Sequence, residues 1–307
     1  MTTIKIAIVG MGKIAHDQHV PALRNNSNYE LAAVASPRSK LEGTRHFTDV
    51  ASLMDAVPDL DAISICTSPQ VRFDVAASAL QRGKHVMLEK PPGVTVSEVN
   101  ALVEIAKAHR VSLFATWHSR EATAIERARE WLSARTPIKV SINWKEDVRV
   151  WHPGQEWIWQ SGGLGVFDPG INALSVVTRI LPKAVRLKSA ELFIPANRAT
   201  PIAANLAMES QGAPIHAEFD FRQTGPQSWD IEVQTNDGVL KLSNGGALMF
   251  VNGAPIITAQ DQEYPNLYKR FAELVTEHSI DVDVTPLQLV ADAMLCGKQV
   301  TVEAFNW

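Results

Sequence analysis

"IKIAIVGMGKIA", residues 4–15, decides the fold of the first third of the chain. The β-branched run "IKIAIVG" ends at a glycine, the signature of a short strand buried on both faces of a parallel sheet. The next residues give G-x-G-x-x-A, with Gly10, Gly12 and Ala15 at the fixed positions. The first glycine permits a tight turn, and the second lets backbone approach a pyrophosphate. The third position needs a small residue for helix packing, which alanine supplies. A helix opening at this point aims its free N–H groups at the phosphates. A glycine turn before a helix is common, so the motif gains weight from standing between a strand and a helix.

The same alternation continues outward from it. "YELAAVAS" (29–36), "DAISICT" (61–67), "HVMLEK" (85–90) and "VSLFATWH" (111–118) read as strands. "SPQVRFDVAASALQRGK" (68–84), with Pro69 near its start, and "SEVNALVEIAKAHR" (97–110) read as helices. Strands alternating with helices predict a doubly wound parallel sheet, with ligands at the carboxyl ends of its strands. Gly10, Ser36, Thr67, Lys90 and His118 each end a strand and so should share one crevice.

A nicotinamide dinucleotide site usually places Asp or Glu about 20 residues after the glycines, to hold a ribose 2′-hydroxyl. Here that place reads "ASPRSK" (35–40). No carboxylate repels a 2′-phosphate, Ser36 can donate a hydrogen bond, and Arg38 can pair with the phosphate. This favours NADP, or use of both cofactors, over strict NAD. The plainer alternative is that Arg38 and Lys40 are solvated loop charges.

Composition sets the outer limits. At 307 residues the chain favours two domains over one, here 1–118 and 119–307, with a C-terminal helix able to pack back on the first. It is 46% apolar and 20% charged, the profile of a globular chain. A formal net charge of -4 gives no support to a nucleic-acid or anionic-membrane surface, and a small polar partner is expected. Two cysteines, Cys66 and Cys296, are too few for a disulfide scaffold or structural zinc and suit a reducing cytosol. The N-terminal apolar run soon reaches glycines and Lys13, which fits neither a signal peptide nor a membrane span. A cytoplasmic protein is expected.

"EKPPG" (89–93), ending a strand of a glycine-loop domain, together with "IAIVGMGKIA" resembles the Gfo/Idh/MocA oxidoreductase family. The family's Glu-Lys-Pro motif falls on Glu89, Lys90 and Pro91, and its Asp-x-Gly-x-His motif on Asp168, Gly170 and position 172. Position 172 is asparagine, a departure from that pattern. "GKIAHDQHVPA", "FATWHSR", "WKEDVRVWHPGQEWIW" and "GLGVFDPGINALS" are similar to the bacterial aldose 1-dehydrogenases that oxidise D-galactose or L-arabinose, a group that shares the asparagine. The resemblance implies an N-terminal Rossmann domain followed by a C-terminal α+β domain with a large, mainly antiparallel sheet. It also implies NAD(P)-dependent sugar oxidation at C1 and, as in many members, a homodimer through the open face of the C-terminal sheet. The sequence beyond 185 agrees: "RLKSAELFI", "IHAEFDF", "WDIEVQT", "GVLKLS" and "ALMFVNG" alternate like strands, separated by "NDG" and "NGG" turns. Helices are expected near 264–279 and 286–305.

The expected cofactor contacts are Gly10, Gly12, Lys13, Ile14, Ser36, Arg38, Thr67, Pro69, Glu89 and Lys90. The expected catalytic residues are Lys90, Asp168 and Asn172. Lys90 as an ammonium polarises the sugar O1, or takes its proton if desolvated. Asn172 cannot titrate, so the proton falls to Asp168, to Lys90, or to the coupled pair. Asp168, followed by Pro169, is open to a second reading as a helix N-cap.

His118, Glu146, Trp151, His152, Asp168 and Asn172 are the expected sugar contacts. Rings suit the apolar C–H faces of a sugar, and polar groups suit its hydroxyl rim. Trp157 and Trp159 are expected in a domain-interface core, and Arg120 either near substrate or in a structural ion pair. His16 and His19 have the i, i+3 spacing of a metal pair but lack an obvious third ligand, so no metal is expected. Two alternatives to aldose oxidation stay open. One is a non-catalytic cofactor sensor of the same fold, which could dispense with Lys90 and Asp168. The other is an oxidoreductase acting at another sugar or inositol carbon.

Overall fold

The structure, a computed structural model, describes residues 3–258 and 262–307. The chain divides into two compact units, Met1–His118 with Tyr264–Val284, and Ser119–Glu263 with Thr285–Trp307. The expected N-terminal extent therefore gains a segment from far down the chain.

The first unit is built on β1 (Ile4–Val9), β2 (Tyr29–Ala35), β3 (Arg45–Phe47), β4 (Ala62–Ile65), β5 (His85–Leu88) and β6 (Leu113–Ala115). They form one parallel sheet in the order β3-β2-β1-β4-β5-β6. β4 and β5 are buried at every residue, which is why they read as unbroken apolar runs. Strand order reverses between β1 and β4, and the crevice at such a switch point is where this topology binds ligands. The three-residue edge strand β3 escaped the sequence reading because "RHF" carries no apolar run.

The helices of this part are α1 (Val20–Arg24), α2 (Val50–Ala56), α3 (Arg72–Gln81) and α4 (Val96–His109). A wide turn of π-helix, Ala15–His19, leads into α1. Pro21 has no N–H to give the preceding turn, and the Val20 N–H reaches back to the Ala15 carbonyl in an i to i−5 bond. His19, at the end of this wide turn, is fully buried.

The second unit begins with α5 (Ile125–Ser133), β7 (Pro137–Lys145), α6 (Val148–Trp151) and α7 (Phe167–Ile180). Then come β8 (Arg186–Pro195), β9 (Ala203–Ser210), β10 (Ala213–Asp220), β11 (Ser228–Thr235), β12 (Gly238–Ser243), β13 (Leu248–Val251) and β14 (Ala254–Thr258). Helix α8 (Glu263–Glu277) returns to the first unit, where Tyr264, Leu267, Tyr268 and Phe271 pack with Ile6, Ile8, Val34 and Met87. Helix α9 (Thr285–Cys296) and β15 (Lys298–Val302) complete the second unit.

Its sheet has nine strands in the order β14-β13-β12-β11-β7-β10-β9-β8-β15. Only β7–β10 and β8–β15 pair parallel; the other neighbours are antiparallel. The helix expected near 286–305 ends at Cys296, and Lys298–Val302 within that range is strand β15 instead. A Cβ on Gly297 would stand 2.4 Å from the Ala293 carbonyl oxygen and 3.0 Å from Leu192, so a glycine ends the helix against β8. Alternating "KQVTV" then pairs along that strand. Helix α7 lies close on the sheet, because a Cβ on Gly170 would stand 3.0 Å from the Phe219 ring.

Among the described residues no helix is long and apolar enough to cross a membrane, and no group of three or more His, Cys, Asp or Glu could hold a metal ion. Cys66 and Cys296 are both free thiols.

The glycine loop makes a test of packing. Gly10 has φ +96°, and a Cβ there would meet the Thr67 nitrogen at 2.6 Å, whereas a Cβ on Gly12 meets nothing within 4 Å. Gly10→Ala should cost about 1–3 kcal/mol in stability, from strain and overpacking. Gly12→Ala should leave the thermal midpoint unchanged. Equal midpoints for the two variants would show that backbone contact does not govern this turn.

Candidate functional site

Each unit carries a buried polar constellation built on residues that the sequence singled out. In the first, Glu89 follows β5 and is only 4% exposed. Its Oε1 accepts from the Tyr264 hydroxyl at 2.7 Å and lies 3.0 Å from His19 Nε2. Its Oε2 accepts the Lys90 backbone N–H at 2.8 Å. His19 Nδ1 sits 2.8 Å from the Tyr268 hydroxyl, which also donates to Ser64 Oγ at 3.2 Å. The His118 ring stacks on Tyr264 with centroids 5.7 Å apart.

These contacts give Glu89 and His19 partners within the first unit. The Glu89 carboxylate bonds within its own unit, where it holds the backbone of Lys90. His19 is an internal partner of Glu89, while His16 is exposed; the two do not form a pair.

A second clamp holds the same loop. The guanidinium of Arg72, itself 2% exposed, donates to the carbonyls of Glu89, Pro91 and Thr67. It thereby ties the end of β4 to the Glu-Lys-Pro turn, in which the Lys90–Pro91 peptide is cis. A planar fork of donors suits several carbonyls at once.

Sequence reasoning missed Arg72, Tyr264 and Tyr268. The i, i+4 spacing of the two tyrosines on an amphipathic helix was a visible signal, but nothing in it named Glu89 as the partner of Tyr264 or His19 as that of Tyr268.

Burial alone would raise the carboxyl of Glu89, yet His19, His118 and Tyr264 hold it well below the usual carboxylate range. Burial likewise opposes charge on His19, but Cys66, Tyr268 and the Glu89 carboxylate hold it well above the ordinary imidazole value. Of these, Glu89 supplies the anion at neutral pH, so the ion pair is the cause that matters there.

The glycine-loop residues fit a dinucleotide. The space beside Gly12 is open to backbone approach, and Thr67 Oγ1 is buried with no hydrogen-bond partner among the described residues. Pro69 opens a single 3₁₀ turn, Pro69–Val71, ahead of α3. Ile14 is 39% exposed, and the Lys13 ammonium pairs with Asp17 one turn on. Ser36 is buried and accepts the Ser39 N–H at 3.3 Å, while Arg38 is exposed at the sheet's edge loop.

In the second unit, Asp168 is 3% exposed in the first turn of α7. The helix starts at Phe167, with Val166 as its cap residue, so the N-cap reading of Asp168 is not realised. A carboxylate in a first helical turn is stabilised by the N–H groups around it. Asn172, one turn on, has a buried Oδ1 with no hydrogen-bond partner among the described residues.

His152 places Nδ1 3.6 Å from Asp168 Oδ2 and Nε2 2.9 Å from Glu146 Oε1. Glu146 is 2% exposed, and its Oε2 accepts Trp229 Nε1–H at 2.8 Å. Trp151, 39% exposed, packs on Trp229 at 4.7 Å, and Trp229 stacks on Trp144. The structure thus brings Glu146, Trp151, His152 and Asp168 together, and adds Trp229, which the sequence reading left within an ordinary strand.

Arg120 donates to the Ser175 carbonyl and Thr178 Oγ1, a structural tie to α7. Trp159 packs with Phe221, Phe305 and Trp307 inside the second unit's own core, and Trp157 is half-buried.

The Glu89–His19 pair predicts a pH signature. Glu89, lowered on folding, contributes stability above the unfolded value of ~4.3 and loses it as pH falls towards its folded value. His19, raised on folding, contributes fully below ~6.5 and loses it as pH rises through its folded value. Urea midpoints of Glu89→Gln should therefore vary less with pH than wild type, both between about pH 3 and 5 and between about pH 7 and 9. An equally steep acid limb in the variant would contradict the pairing.

Known proteins place this architecture. The family model for Gfo/Idh/MocA, described as an oxidoreductase family with an NAD-binding Rossmann fold, matches residues 4–116. The galactose 1-dehydrogenase of Pseudomonas fluorescens is 44% identical over 306 residues, covering 99% of each chain. The crystal structure of D-galactose-1-dehydrogenase from Rhizobium etli superposes with a TM-score of 0.95 at 52% identity, over 100% of this chain and 99% of that one. A 3-ketoreductase from Actinomadura kijaniata, solved with NADP and TDP-benzene, shares the fold at a TM-score of 0.86 and 15% identity, over 98% of this chain and 100% of that one. The parallel sheet with its glycine loop, the Glu-Lys-Pro turn and the end-to-end identity lead to one conclusion: the chain belongs to the Gfo/Idh/MocA family of oxidoreductases.

Proposed function

We propose that the protein oxidises an aldopyranose at C1 to the lactone with NAD(P), acting on D-galactose and also on L-arabinose and D-fucose. The observation that carries this is the buried Asp168, one helical turn from an Asn172 Oδ1 that has no hydrogen-bond partner among the described residues. That pair suits a hydroxyl: Asn172 accepts a sugar hydroxyl's hydrogen bond, and Asp168 takes the O1 proton. Identity to galactose 1-dehydrogenases along the whole chain supports the sugar class.

Gly10, Gly12, Thr67 and the Lys90 turn would hold the dinucleotide, with Ser36 and Arg38 at its ribose. When bound, the nicotinamide accepts the hydride leaving C1. Lys90 stabilises negative charge developing on O1. Its backbone is held by Glu89 and its loop by Arg72, so the turn that carries the side chain is anchored. The exposed Trp151 ring offers an apolar face to the sugar's C–H groups.

L-Arabinopyranose has the ring configuration of D-galactopyranose without the exocyclic group at C5. A pocket distinguishes such a difference by only ~1–3 kcal/mol, so both sugars should turn over. With Arg38 available and no carboxylate between Ser36 and Lys40, NADP should give the higher kcat/KM. Arg38→Ala should lower kcat/KM for NADP roughly tenfold and leave NAD nearly unchanged.

The test is nicotinamide absorbance with purified protein and a panel of aldoses. Turnover of D-galactose is expected, with Asp168→Asn lowering kcat about a hundredfold or more and KM little changed. Failure to oxidise any aldose, or near-normal kcat in Asp168→Asn, would overturn the reading.

A further inference from the structure

Oxidation at C1 leaves one proton on Asp168 in every turnover, and that carboxylate is 3% exposed. Asn172, its neighbour one helical turn on, cannot accept a proton. A buried base that collects a proton in each cycle needs a path by which to lose it.

We propose that His152 is that path, with Glu146 as the residue that fixes its tautomer, rather than either serving as a primary sugar contact. The inference rests on the proposed oxidation. Three observations carry it. His152 Nδ1 lies 3.6 Å from Asp168 Oδ2, and no bond of the backbone constrains the two together, since they come from α7 and the segment after α6. His152 Nε2 lies 2.9 Å from Glu146 Oε1, and a carboxylate only accepts, so Nε2 carries the hydrogen. Both oxygens of Glu146 are used, one by His152 and the other by Trp229 Nε1–H at 2.8 Å. A carboxylate held at both ends in a 2% exposed position orients an imidazole; it is poorly placed to grip a sugar rim.

With Nε2–H fixed on Glu146, Nδ1 is the ring's basic nitrogen, and it faces Asp168. When Asp168 is ionised, two lone pairs face each other at 3.6 Å. Once Asp168 is protonated, its O–H has Nδ1 as a neighbouring acceptor, which it reaches when the 3.6 Å separation closes to hydrogen-bond length. The ring is braced by Phe221, whose centroid is 5.4 Å away, and the His152 side chain is 14% exposed next to the exposed Pro153 and Gly154. It therefore touches the buried acid on one side and solvent on another.

The proton balance closes. The C1 hydrogen leaves with both bonding electrons to the oxidised nicotinamide, the O1–H bond breaks, and C1=O1 forms. The O1 proton passes to Asp168 Oδ2, then to His152 Nδ1. The imidazolium, stabilised by Glu146, releases a proton to water at the loop surface, which restores both groups.

The experiment compares His152→Ala and His152→Gln in steady-state oxidation, with and without added imidazole. Both should lose kcat at least tenfold with KM for sugar within about threefold, since general acid–base transfers contribute 10²–10⁴-fold. Added imidazole should restore much of kcat in His152→Ala but not in His152→Gln, where the amide fills the space.

A raised KM with kcat intact would make His152 a sugar contact and overturn the relay. So would a folded His152→Ala enzyme that imidazole cannot restore. A second measurement needs no turnover: nitrogen-15 spectra of the histidine side chains in the cofactor-free protein. His152 should show the Nε2–H tautomer, with its nitrogen shifts moved by Asp168→Asn. Unmoved shifts overturn the pair even where activity is lost. Wild-type protein that oxidises no aldose refutes the proposed function instead, and the spectra then still decide whether His152 and Asp168 share a proton.

Discussion

The first unit depends on one buried carboxylate. Glu89 joins three segments that are remote in sequence: the π-helical turn through His19, the end of β5 through Lys90, and α8 through Tyr264. A carboxylate at 4% exposure is tolerable only because its oxygens are met by donors, one of them cationic. Removing any partner would leave a buried charge short of a bond, and that penalty makes the arrangement all or none. The wide turn that carries His19 runs directly into Pro21, and through Glu89 this backbone irregularity near the glycine loop is linked to the Lys90 backbone.

The second unit solves a different problem with similar parts. Helix α7 approaches its sheet closely enough that a Cβ on Gly170 would crowd the Phe219 ring, and this contact lies half a turn from Asp168. Beside it, His152 and Glu146 arrive from the segment that follows β7, anchored by Trp229 of β11. The position of Asp168 is therefore set at a helix–sheet contact, while its polar neighbours Glu146 and His152 arrive from a different segment. Variants at the contact should disturb folding and those in that segment chemistry.

Much of this was legible in the chain. The parallel sheet followed from apolar runs and the glycine turn, because strands buried on both faces leave no polar alternation. The hairpins over 228–258 followed from Asn-Asp-Gly and Asn-Gly turns, whose backbone needs few residue types can meet. The central strand β7 and the terminal strand β15 were not legible as such. "PIKVSINWK" and "KQVTV" acquire their roles only by pairing with β10 and β11, or with β8, far along the chain. The helix expected past Cys296 failed for the same reason: a local pattern permitted it, and pairing of Lys298–Val302 with β8 took those residues into the sheet.

Asp168, Asn172, Glu146, His152 and Lys90 were singled out by residue type and resemblance, and short-range patterning placed Lys90 at a strand end. The sequence by itself determined which groups are chemically capable: an acid, an amide that cannot titrate, an imidazole, a lysine in a proline-bounded turn. Only the tertiary structure decided their partners. It assigned Glu89 to His19 and Tyr264, His19 in turn to Tyr268, and Glu146 to His152 and Trp229. The physical reason is that a buried polar group takes whichever donor folding delivers, and these donors come from segments that no local pattern connects.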